Sequence, residues 1–303
     1  MKEITKQGYK GRELTCYLFD EVRDAKGVVV LVHGMQEHAL RYLEFAKFLN
    51  DNGYILFATD LRGHGKNMLD GKPGFENGDI FENIVEDYKI FISELKNDYK
   101  NLPIIVFGHS FGSFISQRLL LECDNLVDKF ILCGSAYTNS LLFKLGKILA
   151  NITKRFKGAE GSAKLVESCS IGGYGKKFKN GNWLTRDENV WEEYKKDPLC
   201  GRSFPAGFYQ SFFNGATENY KRLAMVDEST PILIISGDND PVGLNGKSIK
   251  KLNKVYTKHW LNVYVKMYKD ARHELLNELN KDAVMNDILE FIEANNKVAK
   301  HRS

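Results

Sequence analysis

At 303 residues, with 43% hydrophobic and 27% charged side chains, the chain has enough apolar material for one large α/β core or two smaller ones, which excludes a disordered or fibrous protein. Its apolar runs are strand-sized, as in Val28–Val32, too short to span a bilayer, and the opening MKEITKQGYKGREL lacks the apolar core of a signal peptide, so a cytoplasmic location is expected. The net charge of +4 is concentrated between Lys144 and Asn180, where nine basic residues face only Glu160 and Glu167; the slightly acidic remainder argues against nucleic acid as a partner.

In chain order, residues 2–19 read as two strands, the second placing Leu14, Cys16 and Leu18 on one face. Val28–Val32 is a buried strand, followed by a helix with Tyr42, Phe45, Ala46 and Leu49 at helical spacing that closes at Asn52-Gly53. Tyr54–Thr59 is the next strand, then a helix over roughly Ile80–Tyr99, a strand from Ile104, a helix over Ser113–Glu122 and a strand over Lys129–Cys133. From about Ala136 to Gly207 the alternation stops. Pro231–Ser236 resumes it, with a helix over Lys247–Tyr256, a strand over Trp260–Tyr268, a terminal helix over Leu275–Asn295 and a frayed tail over Asn296–Ser303. Repeated strand–helix units imply a mainly parallel sheet with helices on both faces, interrupted by an insertion of about 70 residues. The five cysteines, Cys16, Cys123, Cys133, Cys169 and Cys200, are odd in number and widely spaced, which argues against a disulfide framework and against a zinc site.

The chemistry centres on Gly108-His109-Ser110-Phe111-Gly112, where an apolar strand meets a helix. A serine between two glycines at such a corner is the G-x-S-x-G nucleophile elbow. A serine hydroxyl needs an imidazole to take its proton and a carboxylate to fix that imidazole. Of seven histidines, His301 lies in the tail and His259 opens a strand. His33 and His64 sit in glycine-containing turns, where bonding to loop backbone is expected; His38 starts a helix, and His109 should point away from the side that presents Ser110. His273 remains, in a polar loop after the last strand, where an open α/β sheet places ligands. The acid is Asp238 or Asp240, at the end of the Pro231–Gly237 strand. The order Ser110, Asp, His273 is that of α/β-hydrolases. Oxyanion donors are expected in the backbone N–H groups of Phe111 and of Met35, because Gly34 serves the turn.

His33-Gly34-Met35-Gln36-Glu37-His38-Ala39-Leu40-Arg41-Tyr42 resembles the HGxxEHxxRY signature of the monoglyceride lipase and lysophospholipase branch of the α/β-hydrolases. Asp60-x-Arg62-Gly63-His64-Gly65, Gly108–Gly112, Gly237-x-x-Asp240 and His273-Glu274 match further motifs in order, and Asp197-Pro198-Leu199-Cys200 resembles a segment of bacterial members. The resemblance spans about residues 10–295 and selects Asp240 as the acid, while a serine at 110 argues against dehalogenase or epoxide hydrolase chemistry. It implies an α/β-hydrolase core over 1–135 and 208–303, a cap over 136–207, hydrolysis of monoacylglycerols or lysophospholipids through an acyl-enzyme, and no cofactor or metal. Small soluble esters, acyl transfer or peptide hydrolysis with the same triad, and a non-catalytic ligand-binding member stand as alternatives.

Within the insertion, Leu141, Leu142, Leu145, Ile148, Leu149, Ile152 and Phe156 form one apolar helical face, with Lys144, Lys147, Lys154 and Arg155 on much of the rest. The first reading is a helix packing its apolar face onto the core; the second is a lid that guides acyl chains and touches an anionic membrane surface. Gly172-Gly173-Tyr174-Gly175 lacks the context of a phosphate loop and is expected to be a flexible cap loop. Trp183, Trp191, Phe204, Phe208, Phe212 and Phe213 are expected to fill the cap, a few of them lining an acyl pocket.

Overall fold

The computed structural model describes residues 1–294. Its elements run β1 (Lys2–Gln7), β2 (Glu13–Phe19), β3 (Gly27–Val32), α1 (Leu43–Asp51), β4 (Tyr54–Thr59), α2 (Ile80–Asp98), β5 (Ile104–His109), α3 (Phe111–Glu122) and β6 (Lys129–Cys133). Five helices follow without a strand: α4 (Leu141–Lys157), α5 (Lys164–Cys169), α6 (Ile171–Tyr174), α7 (Glu188–Lys196) and α8 (Ala206–Thr217). The chain closes with β7 (Ile232–Gly237), α9 (Lys247–Lys258), β8 (Val263–Tyr268) and α10 (Lys281–Glu293).

Among the described residues the strands form one eight-stranded sheet in the order β1-β2-β4-β3-β5-β6-β7-β8. β2 pairs antiparallel with β1 and β4, and every pair from β4/β3 to β7/β8 is parallel. The continuous apolar runs of β3, β4 and β5 are buried throughout because helices cover both faces. One face packs Phe81, Tyr88, Phe91 and Phe114 of α2 and α3; the other packs Phe45 and Leu49 of α1 and Ile288 of α10. β2 serves both, with Leu14 and Cys16 in the first cluster and Tyr17 and Phe19 in the second. All five cysteines are free thiols.

Two boundaries differ from the sequence expectation. β8 begins at Val263 because Trp260 adopts φ 62 in an exposed turn after α9. The expected terminal helix splits into a single turn at Leu275–Asn277 and α10, because Glu278 turns inward, where its carboxylate accepts from Arg186 and from the Arg272 N–H. The expected tail, with Asn295, lies outside the described residues.

The larger correction concerns α4. Apart from Leu149, its apolar stripe does not pack onto the core: Leu141 is 73% exposed, Ile148 56% and Phe156 80%. The opposite face meets α8, with Ala150 and Thr153 buried and Lys147, Asn151 and Lys154 bonded to Thr217, Asn214 and Gln210. Small residues explain the choice, since a Cβ on Gly146 would stand 2.6 Å from the Phe213 ring, so only this face lets the two helices approach closely. The glycine-rich segment after α5 is also not a loop. It forms the short helix α6 and a further turn, with Tyr174 packed on Trp183 at 5.2 Å between ring centroids.

Candidate active site

Four strand ends meet at the carboxyl edge of the sheet, and the loops following β3, β5, β7 and β8 supply the site. The corner after β5 is tight. Ser110 sits at φ 52, ψ −117, a backbone shape that non-glycine residues avoid, which turns its side chain out of the strand. Glycines make the corner possible: a Cβ on Gly108 would lie 2.2 Å from Ser116 Oγ, and one on Gly112 would lie 1.9 Å from the Val32 carbonyl oxygen. The Ser110 N–H donates to the Cys133 carbonyl at 2.9 Å, and Phe111 opens α3, so its N–H belongs to the unsatisfied first turn.

His273, in the loop after β8, has its Nδ1 3.0 Å from Asp240 Oδ2. Asp240 is fully buried, and its other oxygen accepts from the Val242 N–H at 2.8 Å; Asp240 rather than Asp238 therefore meets the imidazole. Nδ1 must carry the proton to donate to the carboxylate, which leaves Nε2 with its lone pair. Nε2 is buried without a hydrogen-bond partner, and His273 and Ser110 border the same cavity. Burial disfavours charge on His273, yet the Asp240 carboxylate and its hydrogen bond, with lesser help from Glu274 and Glu37, outweigh it and leave the pKa above the ordinary 6.5.

Of the other histidines, His33 donates from Nδ1 to the Gly34 carbonyl at 2.8 Å while Nε2 accepts from the Leu61 N–H at 2.9 Å; this assignment follows from Leu61 being an obligate donor. It thereby joins the loops after β3 and β4, and burial pushes its pKa down to about 4. His64 bonds the Arg62 carbonyl and is likewise pushed down, to about 3. Both behave as loop-bonding histidines, as expected. His38 is extended and precedes a single helical turn. His109 departs from expectation. It lines the cavity with its ring 4.8 Å from that of His273, because the sharp turn at Ser110 leaves the end of β5 open toward the β8 loop. Burial, then the neighbouring His273, pushes its pKa to about 4, so it stays neutral there.

The β3 loop is shaped by a buried charge network whose roles the sequence reading did not assign. Glu37 Oε1 accepts from the Gly34 N–H at 2.5 Å and from the Tyr42 hydroxyl at 2.8 Å, while Oε2 accepts from Arg41 at 2.7 Å. Arg41 also forks onto Glu274, with both contacts at 2.7 Å. Burial opposes charge on Glu37, but Arg41, helped by His109, His33 and Tyr42, holds its pKa down at about 2. The Gly34 N–H is thus committed, whereas the Met35 N–H makes no hydrogen bond among the described residues. One guanidinium joins the loop carrying Met35 to the residue following His273. The signal was present in the glutamates of the HGxxEHxxRY and His-Glu motifs, but only the fold brings residues 37 and 274 together.

The cavity, of about 310 Å³, is walled by Phe114, Phe143, Leu149, Phe212, Phe213 and Trp183, with Leu142 and Leu145 of α4 at one side. Of the aromatics singled out in the sequence, Trp183, Phe212 and Phe213 face it; Trp183 lies 5.0 Å from the His273 ring. Phe204 and Phe208 instead pack on His64. The insertion is also fastened to the His273 loop: the Glu274 N–H donates to the Leu184 carbonyl at 2.7 Å, and Arg272 donates to the carbonyls of Asn182 and Thr185.

Comparison with known proteins agrees with this architecture. A family model described as Hydrolase_4, serine aminopeptidase S33, matches residues 23–280. A monoacylglycerol lipase from Mycolicibacterium smegmatis is 27% identical over 89% of this chain and 89% of its own length, and a monoglyceride lipase from Rattus norvegicus is 26% identical over 93% and 86%. The crystal structure of a thermostable carboxyl esterase from Bacillus coagulans, in complex with glycerol, superposes with a TM-score of 0.86 at 26% identity, covering 96% of this chain and 97% of that one. With the sheet order, the β5 corner and these matches in agreement, the chain is an α/β-hydrolase of the monoglyceride lipase type and belongs to the Hydrolase_4 (serine aminopeptidase S33) family.

Proposed function

We propose that the protein hydrolyses monoacylglycerols through an acyl-enzyme, with residues 136–207 acting as a cap over the site. The observation that carries this reading is the pairing of a buried, partnerless His273 Nε2 with Ser110 on one largely apolar cavity. Ser110 Oγ attacks the ester carbonyl as Nε2 takes its proton, and Asp240 stabilises the imidazolium. The N–H groups of Met35 and Phe111 hold the developing oxyanion. His273 then protonates the leaving glycerol oxygen, and water, deprotonated by the same imidazole, releases the acid. A peptidase reading is less well supported. An α-amino group would need a free carboxylate, and both glutamates on the cavity wall, Glu37 and Glu274, are already engaged by Arg41.

A p-nitrophenyl ester series of rising chain length, run beside 1-monoacylglycerol and lysophosphatidylcholine, tests the substrate class. Rates are expected to rise beyond acetate and to favour the monoacylglycerol; activity on acetate alone would overturn the assignment. The imidazole must be neutral to accept the proton, so kcat/KM should climb with pH through an inflection above 6.5, the ordinary histidine value. In Asp240→Asn only the lesser help of Glu274 and Glu37 still opposes burial, so the inflection should move to lower pH while kcat drops about 10⁴-fold. The same raised pKa stabilises the fold fully below the unfolded histidine value and ceases to do so as pH rises through the folded one.

The reading extends to a lipid surface. Leu142 and Leu145 belong both to the exposed α4 stripe and to the cavity wall, so the cavity mouth opens onto that stripe. Lys144, Arg155 and Lys157 are exposed around it, an arrangement suited to the anionic interface of a bilayer. No described helix is long and apolar enough to cross a membrane, so contact would be peripheral. Sedimentation with phosphatidylglycerol-containing vesicles is expected to show salt-sensitive binding, weakened by the paired change Ile148→Ala and Phe156→Ala. Binding indifferent to both salt and that pair would count against it.

A further inference from the structure

The loop that carries Met35 is held in shape from two directions, and one of them is the insertion. Gln36 adopts φ 61, the left-handed region that non-glycine residues enter only where neighbours hold them. Its carbonyl oxygen accepts two bonds from the insertion, from the Gly201 N–H at 2.9 Å and from the Tyr194 hydroxyl at 3.2 Å. Its side-chain amide donates to Glu167 on α5 at 2.9 Å. Two residues on, His38 Nε2 lies 2.8 Å from Asp197 Oδ2, and the other oxygen of Asp197 accepts from the Leu199 N–H at 2.8 Å. On the core side the loop is held by the Gly34 N–H on Glu37, whose carboxylate also takes Tyr42 and Arg41, and by His33 Nδ1 on the Gly34 carbonyl. The Met35 N–H lies between these fixed points, and the peptide that follows it leads directly into the strained residue.

The function of these ties goes beyond seating a lid. A lid can be fastened anywhere along its rim, whereas these bonds converge on the residues flanking one N–H group. They oppose a backbone conformation that would otherwise relax, and relaxation at Gln36 would turn the Met35–Gln36 peptide and, through Met35, the Gly34–Met35 peptide that carries the N–H. We infer that Tyr194 and Asp197 are positioning residues for the oxyanion hole, so that the Met35 N–H reaches its working orientation only while the 194–201 segment is docked on the Gly34–His38 loop. This rests on the reading of Met35 as an oxyanion donor. The cap is then a part of the catalytic apparatus as well as a cover, and its departure would switch the hole off with the triad still intact.

The test uses Tyr194→Phe, which removes the hydroxyl and keeps the ring that stacks on Arg41 at 4.9 Å, and Asp197→Asn, which keeps the acceptor for Leu199 and removes the charge paired with His38. On p-nitrophenyl butyrate each is expected to lower kcat about tenfold with KM within about twofold of wild type, the pattern of an interaction made in the transition state. An alkyl trifluoromethyl ketone adds a second readout: Ser110 Oγ bonds to its carbonyl carbon, the serine proton passes to His273, and the carbonyl oxygen becomes an oxyanion in the hole. Its affinity should weaken in the same proportion as kcat, a correlation that mere loosening of the fold does not produce. Unchanged kcat in both variants, or a loss carried wholly by KM with ketone affinity intact, overturns the proposal. End-point labelling of wild type by a fluorophosphonate separates the two levels of the argument. Wild type left unlabelled sinks the serine-hydrolase reading itself, whereas labelled wild type with unaffected variants sinks only the positioning role.

Discussion

Ser110→Ala is expected to lower kcat on any accepted ester by about 10⁶-fold, leaving the residual rate that binding and the oxyanion donors supply on their own. The size follows from the chemistry. Removing Oγ deletes the proposed nucleophile, the group that would divide the hydrolysis into two easier steps, and the imidazole then has nothing to deprotonate but water at the wrong place. The fold should tolerate the change, since alanine needs no more room than serine and Ser110 already bears the strained φ of 52. Steady-state rates, end-point fluorophosphonate labelling and a thermal melt check it together. A variant that hydrolyses esters within tenfold of wild type would remove Ser110 from the mechanism.

Arg41→Ala should have the largest effect on stability, with a loss of rate beside it. Arg41 is the counter-ion of two buried carboxylates, Glu37 and Glu274, and breaking such a network by removing one partner costs about 3–5 kcal/mol because it strands uncompensated charge. Arg41→Lys should restore little of this, because an ammonium cannot fork onto Glu274 while also reaching Glu37. The pH dependence distinguishes this from simple loss of packing. In wild type the Glu37 carboxylate, held at about 2, contributes stability that is complete above its ordinary 4.5 and is lost as pH falls between those values. Without Arg41, burial prevails, both carboxyl pKa values rise, and the variant should become most stable in acid and lose stability as pH rises past the ordinary carboxylate value. Urea denaturation at several pH values reads both the loss and the reversed slope.

The core strands and the residues of the proposed triad were legible because each is written locally. Buried parallel strands are continuous apolar runs, a nucleophile elbow is five consecutive residues, and the acid and base follow strand ends in a known order. Choosing Asp240 over Asp238 required the family resemblance, and Asp240 is the carboxylate that meets His273. What failed was orientation. The stripe on α4 has the periodicity of a core-facing helix, yet period alone cannot say which face finds a partner; Gly146, by admitting Phe213, decided it for the other side. His109 was assigned by strand alternation, which ceases to apply where the backbone turns at Ser110. The Glu37–Arg41–Glu274 network and the Gln36 ties join residues as far apart as 41 and 274, and no periodicity or short motif reports such a junction.

The Arg41 network also bears on how a reaction at this site ends. Asp240, Glu37 and Glu274 place three carboxylates around Ser110 and His273, against the single guanidinium of Arg41. A neutral ester enters this surplus of negative charge without penalty, and the imidazolium formed on the way to products is welcomed by it. The fatty acid released at the end is itself an anion, formed against the same excess in a poorly screened cleft. If His273 and Ser110 act as proposed, like-charge repulsion would push this anion out of the cleft, and the electrostatics that assist proton transfer would also favour product release.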